Sequence, residues 1–290
     1  MQSPNSKQLE PRPCELSDRA EKKGVLVEPS ALNAEPVLLE TRRHGVATLT
    51  LNRPSHFNAL SAALIDALQA ALDRIAHDRS VKVVILSAKG RGYCAGHDLR
   101  EIRAMDRVDA VEDLFLKCSR MMMTLARIPQ PVIAEVHGIA TAAGCQLVAA
   151  CDLAVASAQA RFGTPGVDIG AFCSTPSVAL GRAVSRKHAM EMLLTGEMIS
   201  AERALQIGLI NSVVPAPMLN EEVMRLADLL CSKSASALAT GKRIFYEQLQ
   251  MTIEDAYALA SRAIAENLVS PDGQEGIDAF LEKRAPDWSS

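Results

Sequence analysis

The sequence predicts an α/β protein with a largely parallel sheet buried on both faces, followed by a helical C-terminal part. Three observations carry this. The runs VVILSA, VIAEV and LAVAS are almost continuously apolar, as strands covered on both faces are. Stretches with helical spacing separate them, the pattern of strand–helix–strand crossovers. Beyond Pro176 strand-like runs thin out while helical periodicity continues.

At 290 residues the chain can bury a large core, and with 48% hydrophobic but only 3% aromatic residues that core is mainly aliphatic and alanine. A net charge of −3 leaves no basic footprint for nucleic acid or an anionic membrane, so a small-molecule partner is expected. Seven cysteines, an odd number scattered through apolar segments, argue for reduced thiols in a reducing compartment. No run approaches the ~18 apolar residues of a membrane span. Glu10, Glu15, Asp18, Glu21 and Glu28 interrupt the basic residues near the N-terminus, unlike a mitochondrial presequence. The expected location is the cytoplasm.

Residues 1–35 mix Pro, Ser, Glu and Lys without periodicity and are expected to form a mobile arm. From PVLLETRRHGVATLTLNRP onward, short β-branched runs punctuated by His-Gly and Asn-Arg-Pro read as a hairpin. Ser61 is placed to cap a helix reaching about Asp78, with Leu64, Ile65, Leu68, Leu72 and Ile75 at helical spacing. A strand over residues 81–88, a helix at 109–127, the strand PVIAEV, a helix from 143 and the strand LAVAS complete the α/β pattern, giving a core over residues 36–215. The segments SRKHAMEMLLTG and SAERALQIG are helical in pattern, as is the C-terminal region over residues 216–290.

Two glycine-bearing turns could carry chemistry. GRGYCAGHDLREI follows one buried strand and leads into a short helical pattern. Its glycines permit a tight turn, and the unpaired N–H groups of a new helix can hold a developing oxyanion. HGIATAAGCQLVAACDL repeats the arrangement, and Ala142, Ala143 and Gly144 leave the main chain open to close approach. Either turn could equally serve chain reversal and tight packing alone; together they could supply two N–H donors to one carbonyl oxygen. Cys94 and His97 form C-x-x-H, but no second ligand pair has zinc-site spacing, so no metal is expected. Cys173 and Ser174 have no convincing base partner in the sequence, which argues against nucleophilic catalysis.

These motifs, with LNRPSHFNAL, FGTPGVDIG and the terminal EGIDAFLEKRAPDW, resemble the enoyl-CoA hydratase/isomerase family, the crotonase superfamily, from about residue 37 to the C-terminus. The resemblance implies a crotonase (ClpP/crotonase-like) fold of repeated β-β-α units, assembled as homotrimers or dimers of trimers. It implies an acyl-CoA thioester as ligand, with coenzyme A entering as part of the substrate and no permanently bound cofactor. By the same resemblance, the thioester oxygen is held by the backbone N–H groups of His97 and Ala143. Cys94, Ala95, His97, Asp98, Leu99 and Arg100 fall in the substrate-binding segment, and Arg53, Phe57, Phe280 and Lys283 fall where the family handles the nucleotide. The C-terminal helices are expected to serve oligomerisation and to cover coenzyme A.

The departures bear on the reaction. Hydratases of this family carry two catalytic glutamates, and the corresponding positions here are Gln146 and Gly166. The aspartate of dienoyl isomerases is replaced by Ser174. Glutamine cannot exchange protons near neutrality and glycine has no side chain, so two partners worth about 100-fold to 10,000-fold each are missing. Backbone oxyanion donors, worth about 100-fold to 1,000-fold each, would survive. Enolate-forming chemistry that needs no protein base, such as decarboxylation of a malonyl-type thioester, is one expectation, with Gln146 orienting a carboxylate or water. A non-catalytic acyl-CoA-binding or regulatory protein is another. Asp168 is a candidate replacement acid if its segment is extended, since two residues is one strand repeat.

Overall fold

The computed structural model describes residues 35–288; apart from Glu35, the N-terminal arm expected over residues 1–35 lies outside the described residues. The first described unit is the expected hairpin, β1 (Leu38–Arg43) paired antiparallel with β2 (Val46–Leu51). His44 and Gly45 turn it with φ of 48° and 82°, both positive as a tight hairpin that matches strand twist requires. Ser61 caps α1 (Ala62–Ala76) by accepting the Leu64 N–H, and Leu64, Ile65, Leu68, Leu72 and Ile75 face inward.

The chain continues through β3 (Val83–Ala88), β4 (Gly92–Cys94), α2 (Leu99–Ala104), α3 (Val108–Arg127), β5 (Val132–Val136), β6 (Ile139–Thr141), α4 (Ala143–Ala150), β7 (Leu153–Ser157) and β8 (Arg161–Gly163). Then follow α5 (Ser174–Ala183), α6 (Arg186–Thr195), β9 (Ile199–Ser200), α7 (Ala201–Gln206), β10 (Ser212–Val214), α8 (Leu219–Cys231), α9 (Ala235–Gln248), α10 (Ile253–Leu268) and α11 (Pro271–Glu282).

The main sheet has the order β1-β2-β3-β5-β7-β10 and is parallel except for the β1 edge. Leu49, Leu51, Leu86 and Ala134 pack on one face with Leu64, Leu68, Met121 and Leu125 of α1 and α3. Val46, Val83, Ile85, Ile133 and Val155 pack on the other against Leu219, Val223 and Ala227 of α8. Burial on both faces is why these strands read as continuous apolar runs.

A second sheet, β4-β6-β8-β9, is absent from the sequence reading. Its strands have two or three residues each, too few to show a period. For the same reason β9 and β10 went unread after Pro176, where strand signals thin and helical segments were expected. This small sheet positions the site, because β4 and β6 pair in parallel and deliver the chain to α2 and α4.

The described residues from 36 to 288 form one compact unit. Within it α9 is tied down by Lys242, whose Nζ donates to the Leu125 carbonyl (2.7 Å), the Gln130 carbonyl (2.9 Å) and Asp152 Oδ2 (2.6 Å). Tyr246 donates to Asp152 Oδ1 at 2.9 Å. Phe245, Leu249, Ile253, Tyr257, Phe280 and Leu281 nevertheless leave broad apolar surface exposed on α9, α10 and α11 and the turns between them. Among the described residues no helix is long and apolar enough to cross a membrane.

Candidate active site

The ends of β4 and β6 bring the two glycine-bearing turns into contact. Gly96 has φ +90°, and a β-carbon there would stand 2.9 Å from Ala142 Cβ and 3.3 Å from the Ala143 nitrogen. A β-carbon on Gly144 would stand 2.0 Å from the Cys94 carbonyl oxygen, so the first turn of α4 closes on β4 only because this residue is glycine. Ala142 caps α4 with φ 49° and ψ −119°, an unfavourable conformation for an L-residue costing about 1–3 kcal/mol.

The hydrogen bonding of these turns leaves several amide donors open, among them one on each turn. Ala95 N–H donates to Phe57 O (3.0 Å), Asp98 N–H to Leu60 O (3.1 Å), Ala142 N–H to Gly163 O (2.9 Å) and Gln146 N–H to Ala142 O (3.0 Å). Between them, the N–H groups of His97 and Ala143 donate to no acceptor among the described residues. Ala143 opens a helix, where unpaired N–H groups favour negative charge. Two such donors on abutting turns can polarise one carbonyl oxygen.

Arg53 and Asp98 lock the first turn from below. Arg53 Nη2 lies 2.9 Å from Asp98 Oδ2, with side chains 16% and 10% exposed, and Nη1 donates to the Ala59 carbonyl at 2.5 Å. Asp98 Oδ1 accepts the Arg100 N–H at the start of α2. The hydrogen bond from Arg53 holds the Asp98 carboxyl below its ordinary pKa, against the opposing effect of burial. The Arg53 guanidinium is therefore turned inward, and the cation beside Phe57 is Arg91, whose guanidinium lies 5.4 Å from the ring centroid. Sequence reasoning did not single out Arg91.

The Cys94 thiol is buried and pushed up to about 12 by desolvation, whereas Ala95, Leu99 and Arg100 are exposed. The His97 ring packs against Phe115 with centroids 4.3 Å apart, and burial drives its pKa down to about 4. Gln146, only 4% exposed, stands one turn beyond Ala143, and its Oε1 has no partner among the described residues.

Gly166 is not an open slot left by a missing side chain. A β-carbon there would stand 2.6 Å from the Ala171 carbonyl oxygen and 2.8 Å from Cys173 Sγ. Residues 171–173 have closed onto the position. The extended geometry behind the reading of Asp168 as a replacement acid does not hold, because Pro165–Ile169 is a 3-10 helix. At about 3 residues per turn, positions 166 and 168 cannot share a face, and Asp168 is exposed with both oxygens directed at Gly196. Phe280 and Lys283 lie at the end of α11; Phe280 is 83% exposed and borders an apolar cavity of about 470 Å³ with Leu268, Ile277 and Trp288. No described hydrogen bond or ring contact joins either residue to the two turns.

Comparison with known proteins bears on this geometry. A family model described as enoyl-CoA hydratase/isomerase matches residues 41–290. The mitochondrial enoyl-CoA hydratase domain-containing protein 3 of Rattus norvegicus is 49% identical over 262 residues, covering 90% of this chain and 87% of its own. The crystal structure of human enoyl coenzyme A hydratase domain-containing protein 3 superposes with a TM-score of 0.85 at 48% identity, covering 87% of this chain and 100% of that one. A Mycobacterium smegmatis enoyl-CoA hydratase gives 0.87 at 51% identity, covering 88% and 100%. The mitochondrial names of the rat, mouse and human relatives overturn the cytoplasmic expectation. That expectation rested on acidic residues in a segment outside the described residues.

Proposed function

The chain belongs to the enoyl-CoA hydratase/isomerase family, and we propose that it binds an acyl-CoA thioester with the carbonyl oxygen between the N–H groups of His97 and Ala143. The observation that carries this reading is that these two N–H groups, on turns in van der Waals contact, donate to no acceptor among the described residues. Their effect is electrostatic: they lower the energy of a thioester enolate without moving a proton.

Hydration is not the expected reaction. It needs a base for water and an acid for Cα, and positions 146 and 166 hold an amide and a hydrogen atom. What remains is binding, or an enolate-forming step that asks the protein for no base. Decarboxylation of a malonyl-type thioester is such a step, because loss of carbon dioxide leaves its electron pair on Cα. The side chains of His97 and Gln146 are uncharged near neutral pH and offer that carboxylate no ionic partner, so binding is the first reading. Exposed Arg91 and Phe57 suit the nucleotide end, and the apolar surface of α9, α10 and α11 suits contact between copies in a trimer or pair of trimers. The location that accompanies the relatives is mitochondrial.

The test is a mass-spectrometric screen of the full chain with enoyl, 3-hydroxyacyl, malonyl-type and saturated acyl-CoA thioesters, paired with equilibrium binding of each. Saturable binding with hydration at least about 10,000-fold below that of a glutamate-bearing family member is expected from the missing pair. Rapid hydration, or no thioester binding at all, would contradict the reading.

A further inference from the structure

One guanidinium ties together the two chain segments that aim the His97 N–H. Leu60 and His97 form an isolated parallel bridge: the Leu60 N–H donates to the Gly96 carbonyl at 2.7 Å, and the Leu60 carbonyl accepts the Asp98 N–H at 3.1 Å. In a parallel ladder the groups flanking a paired residue bond the partner chain, while that residue's own N–H and carbonyl point to the other side. The N–H of His97 is therefore turned away from Leu60. A bridge one pair long is a slight support for that direction.

Arg53 reinforces it on both chains. Its Nη1 donates at 2.5 Å to the carbonyl of Ala59, the residue before Leu60, and its Nη2 donates at 2.9 Å to Oδ2 of Asp98, the residue after His97. Arg53 is fixed in turn by Asn58, fully buried, whose Oδ1 accepts the Arg53 N–H at 2.9 Å and whose Nδ2 donates to the carbonyls of Lys89 and Gly92, each at 2.8 Å. The series Asn58, Arg53, Asp98 thus joins the first residue of β4 to the N-cap of α2, on either side of the turn that carries His97.

A planar guanidinium with a rigid fork of donors can hold two acceptors in one relative position, which an ammonium on a flexible stem cannot. Donors to an oxyanion are effective because their direction is set before the charge develops. We propose that Arg53 is a positioning residue that sets the direction of the His97 N–H by clamping Ala59 and Asp98, in place of the nucleotide contact that the family resemblance implies for it. This rests on the placement of the thioester oxygen proposed above and adds the side chain on which that placement depends.

The test is the infrared carbonyl band of butanoyl-CoA with a 13C-labelled thioester carbonyl, free and bound to the full chain, in the natural protein and in Arg53→Lys, Asp98→Asn and Lys242→Met. Arg53→Lys keeps the charge but not the fork; Asp98→Asn keeps the shape and weakens one arm of it. With one of two donors misdirected, Arg53→Lys should lose roughly half of the downshift seen in the natural chain, and Asp98→Asn a smaller part. Lys242→Met breaks a different buried ion pair, on α9, and should keep the whole downshift, because loosening of the fold does not by itself misdirect His97. If Arg53→Lys fails to fold, Asp98→Asn decides. An undiminished downshift in the Arg53 and Asp98 variants, or an equal loss in Lys242→Met, would overturn the positioning role while leaving the oxygen's placement intact. No downshift in the natural chain would remove that placement, and this inference with it.

Discussion

Gly166 faces the Cys173 thiol so closely that an added β-carbon would stand 2.8 Å from Sγ, and the carbonyl oxygen of Ala171 would be closer still at 2.6 Å. The Ala171 carbonyl and the Cys173 thiol occupy the space that a side chain at position 166 would need. Gly166→Ala is therefore expected to destabilise the fold by about 1–3 kcal/mol through overpacking, measured by urea unfolding. Gly166→Glu combined with Gln146→Glu should fail to restore crotonyl-CoA hydration. Restored activity in that double variant would show that the loop yields readily.

Asp98→Asn should cost about 1–3 kcal/mol, because it leaves the inward-turned Arg53 guanidinium with a weakened partner. The linkage has a definite sign. Asp98 titrates below its ordinary value in the folded chain, so its contribution is present above about pH 3.9 and is lost as pH falls through the folded pKa. Denaturant midpoints from pH 7 to 3 should fall less steeply in Asp98→Asn than in the natural chain.

His97 should stay uncharged across the physiological range. Its folded pKa is about 4 against roughly 6.5 in an unfolded chain, so between those values the unfolded state binds more protons. The stability associated with neutral His97 is present above pH 6.5 and lost as pH falls toward 4. In a histidine NMR titration its resonance should remain at the neutral position down to pH 5, whereas a midpoint near 6.5 would place the ring in solvent.

Lys242 is the attachment of α9 to the core, with a side chain only 7% exposed against Asp152. Burial lowers its pKa, while Asp152 opposes that shift. Lys242→Met strands the Asp152 carboxylate and should cost about 3–5 kcal/mol, whereas Tyr246→Phe removes one hydrogen bond and should cost about 1 kcal/mol. Comparable losses in both variants would contradict the primacy of the ion pair.

The long elements were legible because their periodicity extends over enough residues to be seen. Ser61, the α1 face and the buried strands are set by local capping and continuous burial. The two turns were legible as glycine-rich strand ends, with Gln146 and Gly166 at positions 146 and 166. What stayed hidden depends on contacts across the chain. The strands of the second sheet are too short to show a pattern; the closure over Gly166 is a contact made by residues 171 and 173; and the pairs Arg53–Asp98 and Lys242–Asp152 join residues 45 and 90 positions apart.

The most direct measurement is the infrared spectrum of a butanoyl-CoA analogue carrying a 13C-labelled thioester carbonyl, free and bound to the full chain. Two backbone N–H groups on one oxygen weaken its double bond whether or not any reaction follows. The expected result is a clear downshift of the labelled carbonyl band on binding, unaffected by Gln146→Leu. A bound thioester whose carbonyl band stays at its solution frequency would contradict the placement of its oxygen between His97 and Ala143.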